Sequence, residues 1–283
     1  FSPEVRLKIQ EWYDELPPGF KDGIKKKKKK MKQTEFGKWL DNLLTPKSYR
    51  DFCPNAICVE ASENVERVVT GVSFRSSLID KAIEKKADTI IVHHAHGFWN
   101  NESRLPVGIL GKQIQKLFLH GISLYGFHLP LDGHAEIGNN VLIAKALGAK
   151  VIQTFMREGE HDVACMSELP SAISSVEFVN LLDKIFPFGV NNSFFYGNQK
   201  IHRIAICSGG GASGLEEAIS LGADTYLTGE IKETTPILAE EYGINLVTCG
   251  HHRTETFGVC ALAKKIQDEL GISAEFIDID NPI

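Results

Sequence analysis

Short apolar runs rich in β-branched residues alternate with helix-patterned segments along most of this chain, and that alternation restricts it to layered α/β architectures. The spacing predicts a helix through Phe36, Trp39, Leu40, Leu43 and Leu44, then a strand over 65–72 and a helix over 76–86. A strand from Thr89 to His93 follows, then a helix over 110–119, a strand ending near His128 and a helix over 139–147. A middle stretch offers a strand near 163–166 and a helix over 175–185. The alternation then resumes, with strands over 203–207, 225–227, 245–248 and 274–279 and helices over 214–221, 234–242 and 254–270. The expected fold is therefore two similar α/β halves with mixed or mainly parallel sheets. The halves span about 34–150 and 200–283, joined by a short connecting segment over 151–199. A chain of 283 residues is long enough for one large or two medium cores.

Residues 1–33 form an N-terminal extension of different character. Val5, Ile9, Trp12, Tyr13 and Leu16 stand at helical spacing, and Leu16-Pro17-Pro18-Gly19 breaks the pattern. Lys25 to Lys30 then form an unbroken lysine run, expected to be a solvated linker, so that 21–33 is expected to be mobile and dispensable. The formal net charge of -5 gives no electrostatic case for nucleic acid as a partner. No apolar stretch approaches the roughly 18 residues of a membrane span, and the first residues show no signal-peptide pattern. The six cysteines show no CxxC spacing and read as reduced residues of a cytoplasmic protein.

The chemistry gathers at strand ends. His93-His94 closes one β-branched run, His128-Leu129-Pro130-Leu131-Asp132 follows the next, and Gly250-His251-His252-Arg253-Thr254-Glu255 follows a third. In open α/β sheets, ligands collect outside the carboxyl ends of strands. Adjacent strand residues point to opposite faces, so His93 and His94 can share a cluster only where the chain turns. His251 and Glu255 stand four apart at the start of a helix and share a face. Three imidazoles and two carboxylates suit zinc, manganese or iron. His96, His128, His134 and His252 remain as outer donors, proton carriers or structural residues. Glu230, after Thr228-Gly229, is a general base, an outer partner or a helix-start residue. Ser208-Gly209-Gly210-Gly211-Ala212-Ser213-Gly214 lacks the acidic residue of a dinucleotide site and the Gly-Lys-Ser/Thr of a Walker loop. It is either a phosphate cradle or a tight structural turn.

Seven stretches together resemble the GTP cyclohydrolase I type 2 homologue family, also called the Nif-three-like proteins, most closely its short YbgI-type members. They are Asp51-Phe52-Cys53-Pro54-Asn55, Ile91-Val92-His93-His94, His128 to Asp132 through Gly138-Asn139-Asn140, Ser208 to Gly211, Thr228-Gly229-Glu230, Gly250 to Glu255, and Asp280-Asn281-Pro282. The resemblance covers about 34–283 and implies a toroidal homohexamer with two divalent metal ions per subunit in a site between the halves. It places the metal ligands on His93, His94, Asp132, His251 and Glu255. Ala95-His96-Gly97 stands where many members have proline after the paired histidines, which leaves the ligands intact and reshapes the pocket. The implied activity is metal-dependent hydrolysis, either GTP ring opening or phosphoester cleavage, with Glu230 and His252 as catalytic proton carriers. The alternative is a metal-handling or regulatory hexamer that is not an enzyme.

Overall fold

A computed structural model describes residues 29–100 and 105–283. The expected helix over 5–16, and the lysine run up to Lys28, lie outside the described residues. The first elements are β1 (Met31–Lys32) and α1 (Gln33–Leu44). Phe36, Leu40 and Leu44 recur every fourth residue on one buried face of α1. After a short 3-10 turn come β2 (Ala56–Val59), β3 (Asn64–Val65), β4 (Arg67–Ser73), α2 (Ser76–Glu84) and β5 (Thr89–His94). Then follow α3 (Gly108–His120), β6 (Ser123–Gly126), the short α4 (Leu129–Gly133) and α5 (Asn139–Ala146).

The expected mobility of 21–33 fails at its end. Met31 and Lys32 pair with Val65 and Asn64 of β3, and the Gln33 backbone N–H donates to Glu63 O at 2.9 Å. The Gln33 side chain is buried and donates to Tyr125 Oη at 2.9 Å. A chain cut to begin at Thr34 should therefore unfold at lower temperature than one beginning at Lys29. Leaving Tyr125 Oη without its donor costs about 1–3 kcal/mol, which is worth several degrees of melting temperature. Equal thermal denaturation midpoints would contradict this packing.

The five-stranded sheet runs β13-β4-β5-β6-β2, where β13 is Ser273–Phe276. The four strands β13, β4, β5 and β6 are mutually parallel, and β2 lies antiparallel at the edge. Both faces are covered, which is why Thr89-Ile90-Ile91-Val92 is apolar without alternation. Phe36, Leu40, Val259, Leu262 and Ile266 fill one face, and Leu78, Ile79, Ala82 and Leu117 fill the other.

The second sheet has six strands in the order β7-β8-β10-β11-β12-β9. These are β7 (Lys150–Glu158), β8 (His161–Ser174), β9 (Asn192–Phe195), β10 (Lys200–Cys207), β11 (Thr225–Thr228) and β12 (Asn245–Thr248). Strands β10, β11 and β12 are parallel, while β7, β8 and β9 pair antiparallel. Its helices are α6 (Ser175–Ile185), α7 (Leu215–Ser220) and α8 (Thr234–Tyr242). A capping box between Ser174 and Glu177 starts α6. Alternation along β10 sends Ile204 and Ile206 toward α5 and α6 and sends Ala205 and Cys207 toward α7 and α8. Sheets of mixed direction are thus the observed form of the expected α/β fold.

The stretch over 151–199 does more than connect, because β7, β8 and β9 lie in it or overlap it and build half of the six-stranded sheet. The C-terminal part also returns to the first sheet. The expected helix over 254–270 is α10 (Thr256–Lys265) followed by a π-turn over Ile266–Leu270, and a separate short α9 (His251–Thr254) precedes it. Val259 and Leu262 of α10 pack on the first sheet, and Thr70 Oγ1 of β4 donates to Val259 O at 2.8 Å. Among the described residues, no helix is long and apolar enough to cross a membrane. Four of the six cysteines, Cys53, Cys165, Cys207 and Cys249, are buried.

Candidate metal centre

Strand ends from both sheets bring the expected donors together. Pairing of β5 with β6 stops at Val92 and Gly126, so His93 and His94 are laddered only on the β4 side. Their rings sit side by side, with centroids 4.7 Å apart. After β6 the chain bends through His128 into α4, whose first turn carries Asp132 inward. After β12, Gly250 adopts φ 95, a value open to glycine, and opens α9 at His251. Glu255 sits at the break between α9 and α10, so its side chain turns in toward the histidines instead of continuing a helix face.

Glu255 is the hub. Its Oε1 lies 3.4 Å from His93 Nε2 and 3.2 Å from His251 Nε2, and its Oε2 lies 3.1 Å from His94 Nε2. Asp132 Oδ2 lies 3.5 Å from His93 Nε2. His93, Asp132 and Glu255 form one compact donor group, and His94, His251 and Glu255 form another. His93, His94, Asp132 and Glu255 are all buried, and the half-buried His251 opens toward the cavity.

The opposite nitrogen of each ring is occupied. His93 Nδ1 lies 3.1 Å from Phe127 O, His94 Nδ1 3.3 Å from Ser73 Oγ, and His251 Nδ1 3.1 Å from Glu230 Oε1. Such outer bonds fix ring orientation and leave Nε2 for the ion. Asp132 is held in the same way. Its Oδ1 accepts from Asn139 Nδ2 at 2.8 Å and Ser208 Oγ at 3.0 Å, leaving Oδ2 to face His93.

Burial lowers the His93 pKa, but the Asp132 and Glu255 carboxylates outweigh it and raise it to about 9. For His251 too, burial is outweighed, by Glu255 and then Glu230, and the pKa rises to about 9. Burial dominates at His94 and lowers it to about 4. At Glu255, burial pushes the pKa up, but His94 and His93 hold it well below the ordinary carboxylate range. Burial raises Asp132. Two carboxylates packed this deeply are stabilised in their charged form by positive charge beside them.

The residues fit metal ions. His93 Nε2 and Glu255 Oε2 are buried polar atoms with no hydrogen-bond partner among the described residues. Donors around a four-coordinate ion at roughly 2.0–2.1 Å stand about 3.3 Å from one another. The donor pairs here stand 3.1–3.5 Å apart. The set is imidazole and carboxylate, without thiolate, which suits zinc, manganese or iron.

Sequence reasoning underrated His128. It forms a third donor group with His93 and His94. Its Nδ1 lies 3.0 Å from Asp51 Oδ1, and this buried carboxylate also accepts from Cys53 N, Asn55 Nδ2 and Leu129 N. The signal was the Asp51-Phe52-Cys53-Pro54-Asn55 stretch, whose purpose appears only in three dimensions. Burial would raise the Asp51 pKa, but the bonds to His128 and its neighbours lower it to about 2.

Glu230 touches the cluster only through His251. His252 points the other way, with Nε2 2.9 Å from Asp278 Oδ1, while its ring borders the same cavity. His134 Nδ1 accepts from the backbone N–H groups of Glu136 and Ile137, and the His96 ring lies tilted against Trp99 with centroids 4.7 Å apart. The glycine-rich stretch spends its polar groups on the cluster. Gly209 N donates to Thr254 Oγ1 at 2.9 Å, and Ser208 N donates to Asn140 Oδ1 at 2.7 Å. A Cβ on Gly209 would overlap Glu255 Oε1. The backbone at Gly209 is thus pressed against the metal-ligand candidates.

Comparison with known proteins identifies the family. Residues 31–282 match the family model described as Duf34/NIF3 (NGG1p interacting factor 3). A GTP cyclohydrolase 1 type 2 homolog from Haemophilus influenzae is 35% identical over 252 residues, covering 89% of this chain and 100% of that protein. The solved structure of ybgI, a structural-genomics protein of unknown function, superimposes with a TM-score of 0.84 at 33% identity, over 89% of this chain and 100% of that one. TTHA1606 from Thermus thermophilus gives a TM-score of 0.80 at 29% identity, over the same 89% of this chain and 100% of that one. With its family match spanning nearly all of the described residues, the chain belongs to the Duf34/NIF3 family.

Proposed function

We propose that this protein is a hydrolase dependent on two divalent metal ions. The observation that carries the reading is the pair of donor groups that share Glu255, in which the buried His93 Nε2 and Glu255 Oε2 have no hydrogen-bond partner among the described residues. His93 and Asp132 would hold one ion, His94 and His251 the other, and Glu255 would serve both. Two ions held this way lower the pKa of a bound water and polarise an oxygen of the substrate.

The chain's own groups supply the rest. Asn139 and Ser208 fix Asp132, and Glu230 orients His251 as a positioning residue. His252, buried in the cavity wall with Nε2 2.9 Å from Asp278 Oδ1, would exchange a proton with that carboxylate. A cavity of about 610 Å³ opens beside the donors and gives room for a nucleoside-sized molecule. The curated relatives' name, GTP cyclohydrolase 1 type 2 homolog, makes GTP ring opening the first reaction to assay, with phosphoester cleavage second.

The test is turnover by metal-loaded protein, with Asp132→Asn prepared in parallel. An asparagine can keep its oxygen toward Asn139 and Ser208, so the fold should survive while the charge facing His93 is lost. We expect multiple turnovers by the parent chain and a fall of at least a hundredfold in the variant, the upper end of what disturbing a metal site costs. Equal rates in both preparations would assign the activity to a contaminant. No turnover, with rapid loss of metal to a competing apo-protein, would favour a metal-handling role.

A further inference from the structure

The cavity beside the donors has an aromatic wall that the hydrolase reading leaves unused. Phe52 is 40% exposed, and it faces the cavity shared by His94, His128, His251 and Glu255. An exposed phenylalanine on a loose surface loop would need no explanation. This one is held rigidly. Asp51, beside it, accepts hydrogen bonds from Cys53 N, Asn55 Nδ2 and Leu129 N. Asn55 adopts φ 47 and accepts from His128 N through its side chain. Asn100 N donates to Phe52 O at 2.8 Å, which ties this loop to the one that carries Trp99.

The two rings meet at a centroid distance of 4.7 Å and an angle of 60°. Phe52 also lies 5.1 Å from the His128 ring, and Trp99 lies 5.8 Å from the His94 ring. The wall therefore starts at the cluster histidines and runs out along one side of the cavity. Fixed aromatic faces with a solvent-accessible side are what planar rings stack on.

Charge narrows the ligand further. Among the described residues that line the cavity, Arg50 is the one lysine or arginine, and it is paired with Glu158 at 3.3 Å. Glu158 stands on the same wall, and Asp132 and Glu255 are engaged with the donor cluster. A polyphosphate tail would find little cationic protein surface there.

We propose that Phe52 and Trp99 form a stacking platform for a planar aromatic or heteroaromatic ring of the substrate, which holds a polar substituent of that ring beside the donor cluster. This rests on the metal-hydrolase reading and adds the substrate class to it. Recognition comes from the ring and not from a phosphate chain.

The test is equilibrium dialysis of the full zinc-loaded chain against guanosine, adenosine, nicotinamide and ribose 5-phosphate, with zinc content measured on the same samples. At least one ring compound should bind better than ribose 5-phosphate. Its dissociation constant should rise about tenfold in Phe52→Ala and in Trp99→Ala, in line with the worth of one stacked ring. Phe52→Leu, which keeps the apolar bulk without the ring face, should weaken it as well, and Phe52→Tyr should retain it. Zinc content and melting temperature should hold in Phe52→Leu and Phe52→Tyr. A zinc-loaded sample that binds none of the three rings at millimolar concentration overturns the platform. So does unchanged affinity in Phe52→Leu, or ribose 5-phosphate binding as tightly as the rings. Failure of the parent chain to hold two zinc ions instead counts against the metal reading, and ring affinity that depends on Phe52 in that same sample still supports the platform.

Discussion

Glu255→Gln should empty the cluster of both ions together. Each carboxylate oxygen of Glu255 faces different imidazoles: Oε1 stands 3.4 Å from His93 Nε2 and 3.2 Å from His251 Nε2, and Oε2 stands 3.1 Å from His94 Nε2. An amide of the same shape keeps an acceptor at only one of those positions and puts an N–H₂ donor at the other. Each donor group then loses charge, and one gains a repulsive contact. Metal analysis should fall from two ions per chain to near none, and turnover should fall to background. His94→Gln, which leaves the His93, Asp132 and Glu255 group whole, should lose one ion at most. The ion-free variant should also melt earlier, because removing one partner of a buried charged set costs roughly 3–5 kcal/mol. One fully occupied ion retained in Glu255→Gln would show that the two groups do not share this carboxylate.

Gly209→Ala should cripple the centre without touching a ligand. Gly209 has φ 61, and a Cβ there would overlap Glu255 Oε1 and come within 3.1 Å of His251 Nε2. An alanine in this left-handed conformation costs roughly 1–2 kcal/mol. The larger effect falls on metal affinity, because Glu255 and His251 must both move. A loss of about ten- to a hundredfold is expected, the range for substitutions that misplace ligands from outside. Gly222→Ala is the control, with φ 79 but a side-chain neighbour in Arg203 that can move. It should share the backbone cost and keep metal affinity. Equal affinities in the two variants would mean that the glycine-rich stretch does not press on the centre.

The parallel strands were legible because they are buried on both faces. Thr89-Ile90-Ile91-Val92 and Asn245-Leu246-Val247 leave little else to predict, and the donors sit where those runs end. The edge strands were not legible. In β7, Gln153 and Thr154 lie exposed beside Ile152, so the period of two is blurred, and β9 is a short strand at the sheet edge. The bend at Glu255 also escaped, since 254–270 carries one unbroken helical pattern while the chain breaks at the ligand. His128 and Asp51 depend on a contact between residues 77 apart in sequence, which no local pattern encodes. The packing of Gln33 on Tyr125 escaped for the same reason, 92 residues apart.

The most direct measurement is the ion stoichiometry of the unmodified chain, by elemental analysis of protein purified without chelator and then titrated separately with zinc, manganese and iron(II). The shared-carboxylate centre predicts two ions per chain at saturation for at least one of these metals. A ratio that never exceeds one across all three would contradict it.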